Sequence, residues 1–154
     1  MVVLCVTKFA NLVQSAPLVS IDLIIMTEKG VLLGRRKNQP AKGFWFVPGG
    51  RVLKDETIEL AVKRISFKEI NLEKKLNDLH FIGVYEHFYE NSFVSENVTT
   101  HYVVLAFELE CDLSLSSLPS TEHNEYRFFS SNDIENDPLV HSNTKNYFNS
   151  KGIV

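Results

Sequence analysis

The sequence predicts an α+β fold in a single domain, residues 1–154, on the strength of three observations. The chain has the size and balance of one domain: 154 residues, 44% hydrophobic and 23% charged, enough to bury a core without a disulfide or metal staple. Several β-rich runs are bounded by turn residues, and one stretch carries apolar residues at helical spacing. No repeat period and no low-complexity segment interrupts the pattern, which excludes repeat arrays and linker-bearing chains.

Residues 18–27 and 31–35 are β-rich and are separated by Glu28-Lys29-Gly30, a hairpin in which Gly30 supplies a positive φ. A short aromatic strand at 44–47 is stopped by Pro48-Gly49-Gly50. Proline removes a ladder donor there, and two glycines permit an irregular backbone close to a ligand. From 57 to 70 the apolar residues Ile58, Ala61, Val62 and Ile65 recur at helical spacing, with Lys63, Arg64, Lys68 and Glu69 between or beyond them. This is an amphipathic helix, capped by Asp55 or Thr57, with Glu56 and Glu59 at the positive end of its dipole. Residues 79–89 and 98–110 form an antiparallel strand pair joined by the polar loop 90–97. A loop at 111–120, a last strand at 126–130 and a closing helix at 141–150 complete the chain.

Sixteen basic and 19 acidic residues leave a net charge of -3, which argues against a general nucleic-acid or anionic-membrane binder. Any phosphate the chain binds must be met locally. Cys5 and Cys111 form no C-x-x-C pair and read as two reduced thiols rather than a disulfide framework or a zinc site. The apolar start lacks a preceding basic residue and is interrupted by Lys8 and Asn11, unlike a signal peptide. The run at 18–26 carries Asp22 and falls short of the ~20 residues of a membrane span. The expectation is a cytoplasmic, enzyme-sized domain with a small-molecule ligand, no nucleic acid and no membrane.

Gly50 is followed, after five residues, by Glu56, and after seven more by Arg64-Ile65-Ser66-Phe67-Lys68-Glu69-Ile70-Asn71-Leu72. This resembles a Nudix box (glycine, five residues, Glu, seven residues, Arg-Glu-apolar-x-Glu-Glu-x-Gly-apolar) in altered form. Gly50, Glu56, Arg64, Glu69 and Leu72 keep the family type, whereas Ile65 and Lys68 replace two glutamates and Asn71 the glycine. At about 100° per residue, positions 65, 68 and 69 share one helix face, so an intact box presents three carboxylates there. This chain keeps one. A carboxylate cluster collects several divalent cations that activate a water and neutralise a phosphorus under attack. A single carboxylate is expected to hold about one Mg²⁺, with a loop carbonyl and the substrate's own diphosphate oxygens. Such a metal stabilises a leaving group better than it makes a hydroxide.

Beyond the box the chain resembles the GDP-mannose mannosyl hydrolase (GDP-mannose glycosyl hydrolase) family, a Nudix branch with this same alteration. The likeness runs through Ser15-Ala16-Pro17-Leu18-Val19-Ser20-Ile21-Asp22, Asn38-Gln39-Pro40-Ala41-Lys42-Gly43-Phe44-Trp45-Phe46 and the following Val47-Pro48-Gly49-Gly50-Arg51-Val52. It continues in His87-Phe88-Tyr89, Thr99-Thr100-His101-Tyr102 and Glu122-His123-Asn124-Glu125-Tyr126-Arg127. The resemblance implies a Nudix-type α/β/α sandwich with a mixed β-sheet, the box helix on one side and the C-terminal helix on the other. It implies hydrolysis of GDP-mannose, with GDP-glucose as a second candidate, by water attack at the anomeric carbon with inversion.

A diphosphate held by Mg²⁺ and arginine already leaves well, so one base suffices where inverting glycosidases use two carboxyl groups. By resemblance that base is His123, whose ordinary pKa of ~6.5 suits proton abstraction near neutrality. The metal, Mg²⁺ or Mn²⁺, one per subunit, falls to the Gly49 carbonyl, Glu69 and Glu122, where the family pattern has glutamine at the last position. Arg36 is carried over as a catalytic diphosphate or sugar contact. Val3, Leu4 and Phe9 match the nucleotide-holding segment, and Asp22, Arg51, His87 and Tyr102 match other polar groups of the site. A homodimer is implied, with the N-terminal segment a candidate interface. Two rival readings remain: a Nudix pyrophosphatase attacking phosphorus, and a non-catalytic nucleotide-sugar binding module.

Ordinary structural roles compete at several positions. Arg64 can simply pair with Glu56. His80 and His141 read as surface or capping residues, and His87 and His101 as half-buried strand histidines. Phe44-Trp45-Phe46 and Phe128-Phe129 read as core rather than as base-stacking platforms.

Overall fold

The computed structural model describes residues 5–120, 123–149 and 152–153. Val3, Leu4 and Glu122 lie outside them. Helix α1 (Val6–Ser15) leads into β1 (Leu18–Thr27), β2 (Gly30–Arg36), β3 (Trp45–Phe46) and β4 (Gly49–Arg51), followed by α2 (Ile58–Ile70). Strands β5 (His80–Tyr89), β6 (Thr100–Glu110) and β7 (His123–Phe129) come next, and α3 (Ser131–Asn136) and α4 (Ser142–Asn149) close the described chain. Among the described residues no helix is long and apolar enough to cross a membrane.

The hairpin between β1 and β2 forms as expected, with Gly30 at φ 119°. Its strands pair only at Met26↔Val31 and Thr27↔Gly30. Further along, β1 pairs in parallel with β6 from Leu18↔Tyr102 to Met26↔Glu110, while β2 pairs with β3 and β7. β5 and β6 are antiparallel, as predicted. The result is one mixed sheet in the order β3-β2-β1-β6-β5, with β4 on β1 and β7 on β2.

Strand alternation decides the two faces. Ile21, Leu23 and Ile25 of β1 pack with Ala61, Val62, Ile65 and Ile70 of α2. Ile24 points the other way, into a second core with Phe129, Ile134 of α3 and Tyr147 of α4. Helices therefore cover both faces, the α/β/α arrangement expected. Trp45 and Phe129 are buried in this core, as their aromatic runs suggested, whereas Phe46, though buried, lines a cavity instead.

Four local readings are corrected. Residues 6–15 form a helix that the apolar start did not announce, and Val13 alone of its residues is buried. Pro48-Gly49-Gly50 does not give an irregular loop: Gly49–Arg51 is a strand antiparallel to β1. The last strand begins at His123, three residues before the predicted start, and a capped turn of helix, α3, follows it. Of the two proposed caps of α2, Thr57 accepts from the Leu60 N–H, whereas Asp55 sits in a turn at φ 64°. At the other end Asn71 takes the left-handed conformation at φ 58°, which asparagine tolerates better than other non-glycine residues.

Ile65 is 1% exposed and abuts Gly50, where an added Cβ would stand 3.1 Å from Ile65 Cγ1. The position is a packed wall. Ile65→Glu is expected to cost about 3–5 kcal/mol by stranding a buried charge, against about 0.5–1.5 for Ile65→Val. Urea unfolding at constant slope measures both, and equal costs would contradict the packing.

Candidate active site

At the end of the sheet where β1 and β2 have parted lies a cavity of about 380 Å³. Every described residue predicted for the site lines it: Phe9, Asp22, Arg36, Gly49, Arg51, Glu69, His87, Tyr102 and His123. Eight separate elements deliver them.

One lip is built by β1 and β4. Asp22 faces Gly49 across the ladder, and a Cβ on Gly49 would stand 2.4 Å from Asp22 Oδ1 and 2.7 Å from the Ile21 carbonyl. Only glycine permits that approach. Asp22 Oδ2 accepts from the Tyr147 hydroxyl at 2.6 Å, and the Tyr147 oxygen lies 3.2 Å from His87 Nε2. With the hydroxyl proton committed to Asp22, neutral His87 donates from Nε2. Burial pushes the Asp22 carboxyl up to about 6, against the opposing Tyr147 hydrogen bond and the Arg36 charge. Burial also draws His87 down to about 4, helped by His141.

The other lip is built by β2, β7 and α2. Cross-strand register sets Arg36 opposite His123. The His123 ring rests on Gly34, where a Cβ would come within 2.4 Å of ring Cδ2. Tyr126 donates to the Pro119 carbonyl at 2.9 Å, and its oxygen lies 3.2 Å from His123 Nδ1. Glu69, 3% exposed, places Oε2 3.7 Å from the same nitrogen. Both neighbours favour a proton on Nδ1, which leaves Nε2 as the acceptor.

Arg36 holds its guanidinium 5.3 Å from the centre of the Phe46 ring, and its Nε is buried without a hydrogen-bond partner among the described residues. A buried donor left open in a cavity suits an anionic acceptor. Arg51 lies 4.1 Å from the centre of the Phe9 ring, so α1 contributes an aromatic platform to the rim. Tyr102 has its hydroxyl held above the ordinary range by burial, against the pull of Arg51 and Arg36.

Arg64 turns away from this chemistry: it is bonded twice to Glu56, at 2.7 and 2.8 Å, and to the Arg51 carbonyl. Its pairing holds the Glu56 carboxyl below the usual range. His101 stacks on Phe88 outside the cavity, and His80 is exposed. His141 departs from the surface reading: it stacks on Phe46 at 4.6 Å between ring centres, although its Nδ1 does accept the Asn143 N–H in the first turn of α4. Tyr147, Gly34 and the Tyr126 hydroxyl were not singled out from the sequence. Tyr147 meets a partner 125 positions away, and nothing local marks it.

The donor set fits one hard cation in part: Glu69 offers a buried, cavity-facing carboxylate beside the Gly49 strand. Among the described residues no group of three His, Cys, Asp or Glu could hold a metal unaided.

A mixed sheet between helical layers, with a box-derived helix opening onto a polar cavity, defines the class: a hydrolase of nucleoside diphosphate derivatives. The chain belongs to the NUDIX domain family, which matches residues 16–149. Hydrolases of this family generally use divalent metals such as Mg²⁺ and bind small nucleotide derivatives. The chain is 41% identical over 122 residues to the low-salt glycan biosynthesis protein Agl8 of Haloferax volcanii, covering 79% of this chain and 76% of that one. It is 44% identical over 69 residues to the ADP-ribose pyrophosphatase of Methanocaldococcus jannaschii, covering 45% of this chain and 40% of that one. The MutT NUDIX hydrolase of Burkholderia pseudomallei shares the fold, with a TM-score of 0.70 at 20% identity over 88% of this chain and 98% of that one.

Between about pH 4 and 6 the folded chain keeps the Asp22 proton that the unfolded chain releases, so this group makes stability fall as pH rises, by about 3 kcal/mol. His87 acts in the opposite sense. Between about pH 4 and 6.5 the unfolded chain binds a proton that the folded ring refuses, and stability rises with pH by about 3 kcal/mol. The two slopes offset each other. Asp22→Asn is expected to unmask a stability that climbs from pH 4 to 6.5, and His87→Gln one that falls from pH 4 to 6. Urea titrations across this range that stay parallel in all three proteins would refute the assignment.

Proposed function

We propose that the chain, as a single unit over residues 1–154, hydrolyses GDP-mannose to GDP and mannose with inversion at the anomeric carbon, and that GDP-glucose is a second substrate. The observation that carries this reading is the cavity face of α2: Glu69 alone remains of the box carboxylates, while His123 stands opposite Arg36 on the facing strands. The glycan-biosynthesis name of the Haloferax relative supports a sugar-bearing substrate.

Glu69, the Gly49 carbonyl and Glu122 would hold the divalent ion. When bound, one Mg²⁺ neutralises the diphosphate and stabilises it as a leaving group. Arg36 and Arg51 supply charge-assisted hydrogen bonds to the diphosphate, each worth about 1.5–3 kcal/mol. His123 Nε2 takes a proton from water as its oxygen bonds to the anomeric carbon and the bond from that carbon to the diphosphate oxygen breaks. Nδ1–H then faces the Tyr126 oxygen and the Glu69 carboxylate, which stabilise the imidazolium. Asp22, His87 and Tyr102 are placed to bind the sugar, and Phe9, Val3 and Leu4 the nucleoside. A cytoplasmic homodimer joined through the N-terminal segment completes the reading. The exposed Val6 and Leu12 of α1 support such an interface.

The second reading, attack at phosphorus, is favoured by the likeness to the ADP-ribose pyrophosphatase. Hydrolysis of GDP-mannose in ¹⁸O-water separates the two. Label in the hexose is expected, and label in a phosphate product would sink the glycosyl reading. No turnover at saturating substrate and Mg²⁺ would favour a binding module instead.

Tyr126 acts here as a positioning residue. Tyr126→Phe is expected to lower kcat roughly tenfold with KM little changed, and to shift the acidic limb of the kcat pH profile. Gly34→Ala is expected to displace the His123 ring and lower kcat by about 10²–10⁴. Wild-type rates in both would remove His123 from the reaction.

A further inference from the structure

Helix α2 carries Ile65 and Lys68 at the two positions where an intact box has carboxylates, and the structure treats them differently. Ile65 is sealed into the core. Lys68 is exposed and lines the cavity beside Arg51 and Glu69. The carboxylates lining the cavity among the described residues are Asp22 and Glu69, and Asp22 is engaged by Tyr147. Arg36, Arg51 and Lys68 set three cationic side chains against those two. Positive charge for a diphosphate, beyond what one cation brings, has to come from such side chains.

We propose that Lys68 is a diphosphate-binding residue: its ammonium stands where a further divalent ion is held by an intact box, and with Arg51 it flanks the phosphates of a nucleoside diphosphate ligand. The proposal deepens the reading above and rests on the same cavity being the ligand site. Lysine suits the role as a compact point charge on a flexible stem that can follow phosphate oxygens between the bound and departing states. A glutamate at the same place would instead create a second acidic oxygen donor one residue from Glu69.

Calorimetry with inorganic pyrophosphate and with GDP, in the presence of Mg²⁺, tests the assignment. Lys68→Gln is expected to weaken both ligands by roughly ten- to a hundredfold, with a shallower salt dependence and most of the loss recovered in Lys68→Arg. Guanosine should bind all of these proteins alike. Lys68→Glu is expected to raise the Mn²⁺ bound per chain in the presence of GDP from one to two, counted by electron paramagnetic resonance. Unchanged pyrophosphate affinity in Lys68→Gln, a Mn²⁺ count that stays at one in Lys68→Glu, or a wild-type chain that binds neither ligand would each overturn the proposal. Wild-type protein that binds pyrophosphate through Lys68 yet releases no mannose would defeat the GDP-mannose reading and leave the Lys68 assignment standing.

Discussion

β1 and β2 are joined only beside their turn, at Met26↔Val31 and Thr27↔Gly30, and from there each strand takes other partners. A sheet that parts in this way exposes ladder groups along the gap, and buried backbone groups must find partners. Inserted segments meet the demand: the Leu23 N–H donates to the Pro48 carbonyl, and the Arg36 N–H to the Phe44 carbonyl. The loop that carries Pro48-Gly49-Gly50 is thereby drawn onto β1, close enough that Gly49 has no room for a Cβ. β7 is drawn onto β2, which sets His123 against Gly34 and opposite Arg36. The cavity is the consequence. Its two lips belong to two strands that the hairpin holds at one end and the insertions hold apart at the other.

Two tyrosine–histidine pairs work this space by one rule of hydrogen-bond logic. A hydroxyl has one proton, and when a stronger acceptor takes it, a neighbouring imidazole must donate. Tyr126 gives its proton to the Pro119 carbonyl, so His123 donates from Nδ1 and keeps Nε2 as an acceptor. Tyr147 gives its proton to Asp22, so His87 donates from Nε2. The environments then separate the rings. The Glu69 carboxylate stands 3.7 Å from His123 Nδ1, whereas burial around His87 opposes its charged form. His87 therefore suits holding a neutral hydrogen-bond pattern.

Much of this was legible in the sequence, wherever the signal was local. Strands marked by alternation and turn residues, the α2 helix marked by its period, and the core role of Trp45 and Phe129 all follow from neighbours within a few positions. The site residues came from motif resemblance, and the cavity gathers every described one. What escaped was non-local, short or thinly buried. Helix α1 buries Val13 alone, β4 is a three-residue strand of two glycines and Arg51, and the parallel pairing of β1 with β6 joins segments about 80 residues apart. Tyr147 and Gly34 matter through contacts with Asp22 and His123 that no spacing rule announces. His141 caps α4 as one of its two readings held, but its stacking went unannounced because its aromatic partners Phe44 and Phe46 lie almost 100 positions away.

The balance between attack at carbon and attack at phosphorus turns on where the cavity places charge. Attack at phosphorus brings a nucleophile onto an anionic centre and gains most from several metal ions bridging attacking and leaving oxygens. On α2 the positions that would assemble them hold a sealed isoleucine and a lysine. Attack at the anomeric carbon asks for something else: charge delivered to a departing diphosphate, and one base for a water on the far side of the sugar. Arg36, Arg51 and Lys68 line the cavity and in the proposed reaction would meet the first need, without metal ligands of their own. In the proposed reaction His123, seated on Gly34 and with Tyr126 at its Nδ1, would supply the second. Under the proposal, Lys68 both removes a box carboxylate and adds charge for a leaving diphosphate, and this double effect favours carbon over phosphorus as the point of attack.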